Sequence, residues 1–368
     1  MGKNRLARWV LCVGLLILLY LLLRSGGNAE TEPCHQALLS LNMTAVGLVI
    51  VDPVFLSEFH RNCHAIPRYP LMTMIAKDSG HTVTRELLKL FRVLPYTEND
   101  AEDFIQVQDN RTFRLLPKSI IYHQIGSVKL PANIPQFLEF WRRSREIECK
   151  NVLQRDESET NRTYPLEAIE ALADIRDIII NYGAYPFLQG GTLLGWYREC
   201  SIIPHTYDMD LGIRHAEFSP SLQHHFATLP TNGPLALYRI LGMPWEGYEM
   251  TVYAWDFELP VDIFIVYDEG RYSWVGGTSN SLQKYRYYYP RYTSFCSANL
   301  LGRHFFVPCN VEETIRVDYG PKWAEDWPTD LYSWSSSGKN VKKAGKWPEH
   351  MRKQVLQIFL GSASTSDE

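Results

Sequence analysis

The chain contains no Cys-x-x-Cys pair, so its 7 cysteines do not read as a zinc ribbon or finger. It has little charge of either sign in excess. Lys and Arg number 37 against 41 Asp and Glu, and the net charge of −4 argues against broad electrostatic binding of nucleic acid. No internal repeat and no low-complexity tract interrupts it. What is present suits a globular protein: 45% apolar and 21% charged residues over 368 positions, room for about two domains with proper cores. Its 21 Tyr and 10 Trp, including the cluster Tyr285-Arg286-Tyr287-Tyr288-Tyr289, read first as core filling and second as sugar-stacking surface.

Trp9 to Leu23 is a run of fifteen residues without a charge, preceded by Lys3, Arg5 and Arg8 and ended by Arg24. A membrane helix needs roughly 17–25 apolar residues, so the run is at the short end, which suits the thinner early secretory membranes. Positive charge on its N-terminal side predicts a cytosolic tail over 1–8, a signal anchor over 9–23 and a luminal body. A cleaved signal peptide is the competing reading, although Arg24-Ser25-Gly26-Gly27-Asn28-Ala29 offers no clean cleavage site. Both deliver the body to a lumen. The sequons at Asn42, Asn110 and Asn161 agree with this, as do Cys34, Cys63, Cys149, Cys200, Cys296 and Cys309, an even number beyond Cys12. The expected location is the Golgi (or ER) membrane, single-pass, with the body luminal and the membrane as a partner.

Tyr292 to Asn310 reads as two strands. A two-residue loop at Gly302-Arg303 would be a Gly-first type II′ turn. That register sets Cys296 opposite Cys309 in a non-hydrogen-bonded pair, close enough for a disulfide. Two reduced buried cysteines remain the alternative.

Residues 24–40 form a short stem, and 41–150 an N-terminal luminal domain of mixed character. In the latter, Val46 to Val51 reads as a buried strand running into Asp52-Pro53, Phe104–Val107 and Phe113–Leu116 as strands, and Ile134–Ile147 as a helix. The polar stretch 151–163 looks like a linker. A second domain follows over 164–350, with a tail over 351–368. It opens with Pro165 at a helix start, then Leu166, Ile169, Leu172, Ile175, Ile179 and Tyr182 on one face, and Gly183 at the end. Tyr185–Leu188 reads as a strand and Thr192–Cys200 as a helix.

The chemistry lies just beyond. Asp208 and Asp210 are two apart, so a strand places both on one face and Met209, Leu211 and Ile213 on the other. Paired carboxylates repel, and a divalent cation between them and substrate phosphates would resolve this. A solvated pair of acids is the plain alternative. Gly190-Gly191 precede a helix whose N-terminus would suit a phosphate, unless they form only a tight turn. Asp262 interrupts the apolar strand Leu259–Val266. A buried carboxylate requires a partner, either a shared metal or a structural hydrogen bond. Three acids facing a glycine turn are the type of site used in metal-assisted phosphoryl or nucleotidyl transfer.

The segment Gly190 to Ile213 resembles the LicD/fukutin family of nucleotidyltransferase-fold proteins. The resemblance continues through Val261-Asp262-Ile263-Phe264, Trp274 to Thr278, Val307-Pro308-Cys309, Tyr319 to Trp323 and Lys346-Trp347-Pro348, covering residues 165–350. One branch of that family carries a further Asp two residues before the pair, where Thr206 stands here. The expected fold class is α/β (α+β): the N-terminal transmembrane anchor and the mixed N-terminal domain read above, and a C-terminal nucleotidyltransferase-like domain, which the resemblance implies. It implies a transferase that moves a phospho-alcohol from a CDP-activated donor to a glycan hydroxyl and releases CMP. For the fukutin branch the donor is CDP-ribitol and the acceptor a dystroglycan-type O-mannosyl glycan, with other Golgi glycosylation enzymes as partners. Bacterial LicD relatives act with phosphocholine, which leaves the alcohol open. By this resemblance Asp208, Asp210 and Asp262 hold Mg²⁺ or Mn²⁺, with Asp262 as third ligand or as base. Gly190, Gly191 and Thr192 line the donor site. Arg198, Lys284, Arg286 and Arg291 either grip phosphate or serve as solvated or capping charges. Trp274 and Trp323 stack on sugar or base, or pack in the core. A UDP-sugar glycosyltransferase using Asp208-x-Asp210, and a non-catalytic glycan-binding scaffold, stand as alternatives.

Overall fold

The computed structural model describes residues 48–63, 65, 68–78, 85–126, 128–155 and 161–360. They fall into two compact units. One holds the chain up to Thr97 with 107–109 and 119–141, and the other holds 98–106, 110–118 and everything from Arg142 onward.

The first unit is built on β1 (Leu48–Ile50), α1 (Pro53–Arg61), β2 (Leu71–Ala76), α2 (Arg85–Leu90) and β3 (Phe91–Glu98). Of the strands that follow, β4 (Phe104–Asp109) is shared between the two units and β5 (Thr112–Pro117) belongs to the second, while β6 (Tyr122–Ile125), β7 (Val128–Pro131) and nearly all of α3 (Ile134–Arg143) belong to the first. The apolar run before Asp52 is the buried strand its composition predicts: β1 lies antiparallel to β2 and parallel to β7. Asp52 then caps α1, accepting the N–H groups of Val54 and Phe55, with Pro53 at the first helical position.

In the second unit, α4 (Ile169–Asn181) follows a single 3-10 turn after Pro165. Ile169, Leu172, Ile175 and Ile179 are buried at the spacing that predicted the helix. Then come β8 (Phe187–Leu188), α5 (Gly190–Glu199), β9 (Met209–Arg214), α6 (Pro220–Thr228), β10 (Leu235–Met243), β11 (Glu246–Ala254) and β12 (Leu259–Glu269). The chain continues through β13 (Tyr272–Thr278), β14 (Gln283–Pro290), β15 (Phe295–Leu300), β16 (Arg303–Pro308), α7 (Val311–Tyr319), β17 (Val341–Lys346), α8 (Arg352–Val355) and β18 (Leu356–Ile358). The main sheet runs β15-β16-β8-β9-β12-β11-β10-β18, and β13, β14 and β17 extend it from β12. Met209, Leu211 and Ile213 of β9 are fully buried in one cluster with α4 and with Leu193, Leu194 and Trp196 of α5. Each such Leu or Ile contributes roughly 1.5–3 kcal/mol on burial, so slipping β9 by one residue would forfeit several of them at once. The apolar face therefore decides which way Asp208 and Asp210 point.

Several expectations are corrected. The fold class is mixed α/β, but among the described residues no helix is long and apolar enough to cross a membrane. The expected anchor at 9–23 lies outside the described residues, and the described structure carries no membrane or Golgi placement. Within the described part of 151–163, the Val152 N–H reaches the Arg198 carbonyl and the Thr163 N–H that of Pro204. Both acceptors lie in α5 or the loop after it. The β15–β16 hairpin pairs Leu300 with Arg303. Its loop is therefore Leu301-Gly302, both with positive φ, a type I′ turn and not Gly-first. Cys296 thus faces Val307, yet the Cys296–Cys309 disulfide forms, with 5.1 Å between the Cα atoms. The register continues past Pro308, Cys309 N–H donating to Ser294 O at 3.1 Å, so the disulfide joins diagonal neighbours, Cys309 lying two residues beyond Val307. A second disulfide, Cys149–Cys200, ties the stretch after α3 to the end of α5.

Replacing Cys296 and Cys309 by Ala together should lower unfolding free energy by roughly 2–4 kcal/mol. Urea denaturation checks this, and a loss under about 0.5 kcal/mol would contradict it. His304, buried beside Ser297 and the Arg176 charge, is pushed down to about 3, burial being the larger cause. The unfolded chain takes up this proton near the ordinary histidine value and the folded chain does not. The stability due to neutral His304 is thus complete above about pH 6.5 and is lost as pH falls toward 3. His304→Gln should flatten that loss in melting curves taken between these limits.

Candidate active site

The pairing of β9 with β12 brings the acids together. The two strands are parallel, with Asp210 opposite Asp262. Asp208 precedes β9 by one residue and shares the face of Asp210. Ligand oxygens of Asp208, Asp210 and Asp262 all lie within 4.8 Å of one another. Asp262 is buried, and the other two are partly open to solvent. The same cross-strand row continues: Asp262 pairs with Thr251 on β11, and Thr251 with Arg239 on β10. Four neighbouring strands thus carry acid, acid, hydroxyl and guanidinium in line.

Asp262 has the partners its burial demands. The Thr251 hydroxyl donates to its Oδ1, and Arg239 lies 3.5 Å from its Oδ2. Arg239 also reaches Glu249 at 3.4 Å, on the same face of β11 as Thr251. One guanidinium thus contacts two carboxylates, and its charge also acts on Asp208. Burial, and then the Asp262 charge, pushes Asp208 up to about 7. Burial with the charges of Asp208 and Asp262 pushes Asp210 well above the carboxylate range. Glu249 rises to about 8 by burial and the Asp262 charge. Oxygen-only donors with unbalanced negative charge fit a hard divalent cation, which would reverse these shifts.

The glycine turn serves the site from within. Gly190 is the first residue of α5 and has φ +52°, and a Cβ there would lie 2.6 Å from Asp210 Oδ2. Gly191 N–H donates to that same oxygen at 3.0 Å. The Thr192 hydroxyl accepts from Asp210 N–H at 2.7 Å, and Gln189 N–H donates to Asp210 O at 3.2 Å. The helix N-terminus, expected to face a phosphate, holds the Asp210 carboxylate instead. Thr206, standing where one branch has an acid, donates to Asp208 O at 3.0 Å.

The cations expected at phosphate are engaged elsewhere. Arg198 is buried and bound to Glu199, to Glu325 O at 3.0 Å and to Asp326 at 3.4 Å. Lys284 sits 4.9 Å over the Trp347 ring. Arg286 pairs with Glu246 and lies 4.0 Å over Trp274, and Arg291 bonds Gly270 O at 2.7 Å. Trp274 stacks on Tyr267 and Trp323 packs by Tyr197, both buried. Sequence reasoning missed Arg239, Glu249 and Thr251. Their alternation along β10 and β11 resembles that of any half-exposed strand, and only the sheet register aligns them with Asp262.

A profile of the LicD/FKTN/FKRP nucleotidyltransferase domain matches residues 183–310, which contain the glycine turn, all three acids and Arg239. A profile of the W02B3.4-like N-terminal domain matches 33–148. Two uncharacterized proteins of Caenorhabditis elegans, T07A5.1 and W02B3.4, are 32% and 34% identical, over 89% of this chain and 88% and 86% of their own lengths. The ribitol-5-phosphate transferase FKTN of Homo sapiens is 29% identical over 63% of this chain and 50% of its own length. The chain belongs to the fukutin-like LicD family.

Gly190→Ala should reduce Mn²⁺ affinity by roughly ten- to a hundredfold, because it displaces Asp210. Gly183→Ala is the control: its φ is +81° but nothing lies within 4 Å of the new Cβ, so it adds backbone strain alone. Equal Mn²⁺ affinity of the two variants by calorimetry would contradict the role given to Gly190.

Proposed function

We propose that the chain is a divalent-metal-dependent transferase that moves a phospho-alcohol from a CDP-activated donor to a glycan hydroxyl and releases CMP. Ribitol 5-phosphate is the first candidate for the transferred group, and an O-mannosyl glycan of the dystroglycan type for the acceptor. The observation that carries the reading is the convergence of Asp208, Asp210 and Asp262 from two parallel strands. Kinship with FKTN, a ribitol-5-phosphate transferase, supports the choice of group, over half of that protein's length. The disulfides Cys149–Cys200 and Cys296–Cys309 support an oxidising compartment, the lumen of the secretory pathway.

Asp208, Asp210 and Asp262 would hold Mg²⁺ or Mn²⁺, which when bound supplies positive charge to the donor diphosphate. The chain's own part is to keep the carboxylates in place. Gly191 N–H holds one oxygen of Asp210. Thr251 and Arg239 hold Asp262 from two sides, which favours its action as a ligand over its action as a base. Arg239 also keeps a fixed positive charge at the edge of the acid cluster, where negative charge on a leaving phosphate would be stabilised.

Calorimetry of the purified chain with CDP-ribitol, CDP-choline and UDP-sugars, with and without Mn²⁺, tests the reading. CDP-ribitol should bind only with the metal, and Asp210→Asn should weaken it at least about tenfold. Preference for a UDP-sugar would overturn the donor. No nucleotide binding by the folded chain would overturn the enzyme.

A further inference from the structure

Beside the acid centre the main sheet carries rings that take no part in the chemistry above. Thr251, the partner of Asp262, is followed on the same face of β11 by Tyr253, one two-residue step of about 6.6 Å along the strand. The Tyr253 ring lies 4.7 Å from that of Trp255, edge to face, and 6.3 Å from that of Tyr238. Tyr238 sits at an irregularity of β10 next to Arg239, whose guanidinium is 5.9 Å from the Tyr238 ring. Three rings thus continue, away from the acids, the row that Asp262, Thr251 and Arg239 begin. They are not core filling. From β11 it is Met250, Val252 and Ala254 that enter the core, on the opposite face. Trp255 is 40% exposed and the two tyrosines are half-buried, whereas Trp274 and Trp323, the stacking candidates of the sequence, are buried.

Tyr164 ties this row to the acids from the other side. Its phenol donates to the carbonyl of Tyr207, the residue before Asp208, at 2.7 Å. Burial pushes that phenol up to about 12, and Asp208, Tyr253 and Glu258 add to the rise, so one hydroxyl feels the acid centre and the aromatic row together. The charges beside the rings narrow what they can hold. Trp255 opens a single 3-10 turn, Trp255–Phe257, and Asp256 and Glu258 stand exposed in it and just after it. Carboxylates accept from hydroxyl groups but repel a diphosphate or an anionic surface. Exposed rings suit a ligand with an apolar C–H face and a polar edge. A neutral sugar ring has both.

We propose that Tyr238, Tyr253 and Trp255 form a stacking platform for neutral sugar rings of the acceptor glycan, which lies along β10 and β11 and leads a hydroxyl toward Asp208, Asp210 and Asp262. The proposal rests on the transferase reading only for the name acceptor. The rings bind and orient, and the acids keep the chemistry. A cytosine base also has a stacking face, but its diphosphate would then lie against Asp256 and Glu258.

The test compares the whole chain with Trp255→Ala, which removes an exposed ring, and with Trp255→Tyr, which keeps one. Saturation-transfer NMR titrates mannose, N-acetylglucosamine and chitobiose without nucleotide. Affinity for at least one probe should fall roughly five- to tenfold in Trp255→Ala and stay within about threefold of wild type in Trp255→Tyr. No saturation of any probe, or a titration that Trp255→Ala leaves unchanged, overturns the platform. Calorimetry of CDP with Mn²⁺ on the same three proteins separates base from sugar. A loss of CDP affinity in Trp255→Ala, alone or with that for sugar, gives the rings to cytosine and overturns the acceptor assignment. If no nucleotide binds any of the proteins but sugar binding is still lost in Trp255→Ala, the platform stands and the transferase reading falls. Nucleotide binding without sugar binding sinks the platform alone.

Discussion

The site depends on one constraint: β9 and β12 lie side by side in parallel, in the register that sets Asp210 against Asp262. That register is imposed from the opposite face, where Met209, Leu211 and Ile213 on one strand and Val261, Ile263 and Ile265 on the other are fully buried. Hydrophobic burial is non-directional, but in a strand the period of two converts it into direction. Apolar packing on one side therefore holds like charges together on the other.

The surrounding residues manage that repulsion unequally. At the β11 side, Thr251 and Arg239 give Asp262 a donor and a countercharge. At the α5 side, Asp210 has only the Gly191 N–H and the positive end of a helix, and its protonation range is raised accordingly. The asymmetry leaves the uncompensated charge on the Asp208–Asp210 side, the more solvent-open side of the cluster. Gly190 permits the close approach of helix and acid, because any side chain there would occupy the place of the carboxylate oxygen.

Much of the second unit was legible in the chain. The 3.6-residue spacing marked α4, and the alternation about Asp208-Met209-Asp210 marked both the strand and its polar face. Asp262 stood out as a charge in an apolar run. The hairpin disulfide was legible as a pairing but not as a register, since turn type depends on which two residues accept positive φ, and Leu301 does so here with Gly302. Of the N-terminal region only β1, β4, β5 and α3 were legible, and β2, β3, β6 and β7 were not. Its parallel and antiparallel pairings join segments far apart in sequence, and no local period encodes them.

Local pattern by itself thus determined the elements, the faces they bury and the three acids, because side-chain period and the cost of burying charge act within a few residues. Tertiary structure alone decided the rest. It aligned Thr251 and Arg239 with Asp262 across three strands, turned the glycine-led helix onto Asp210, and drew Arg198 into an ion pair with Glu199 away from the role its charge suggested. These outcomes depend on which strands become neighbours and which buried charges find partners, and both are settled only when the whole sheet has formed.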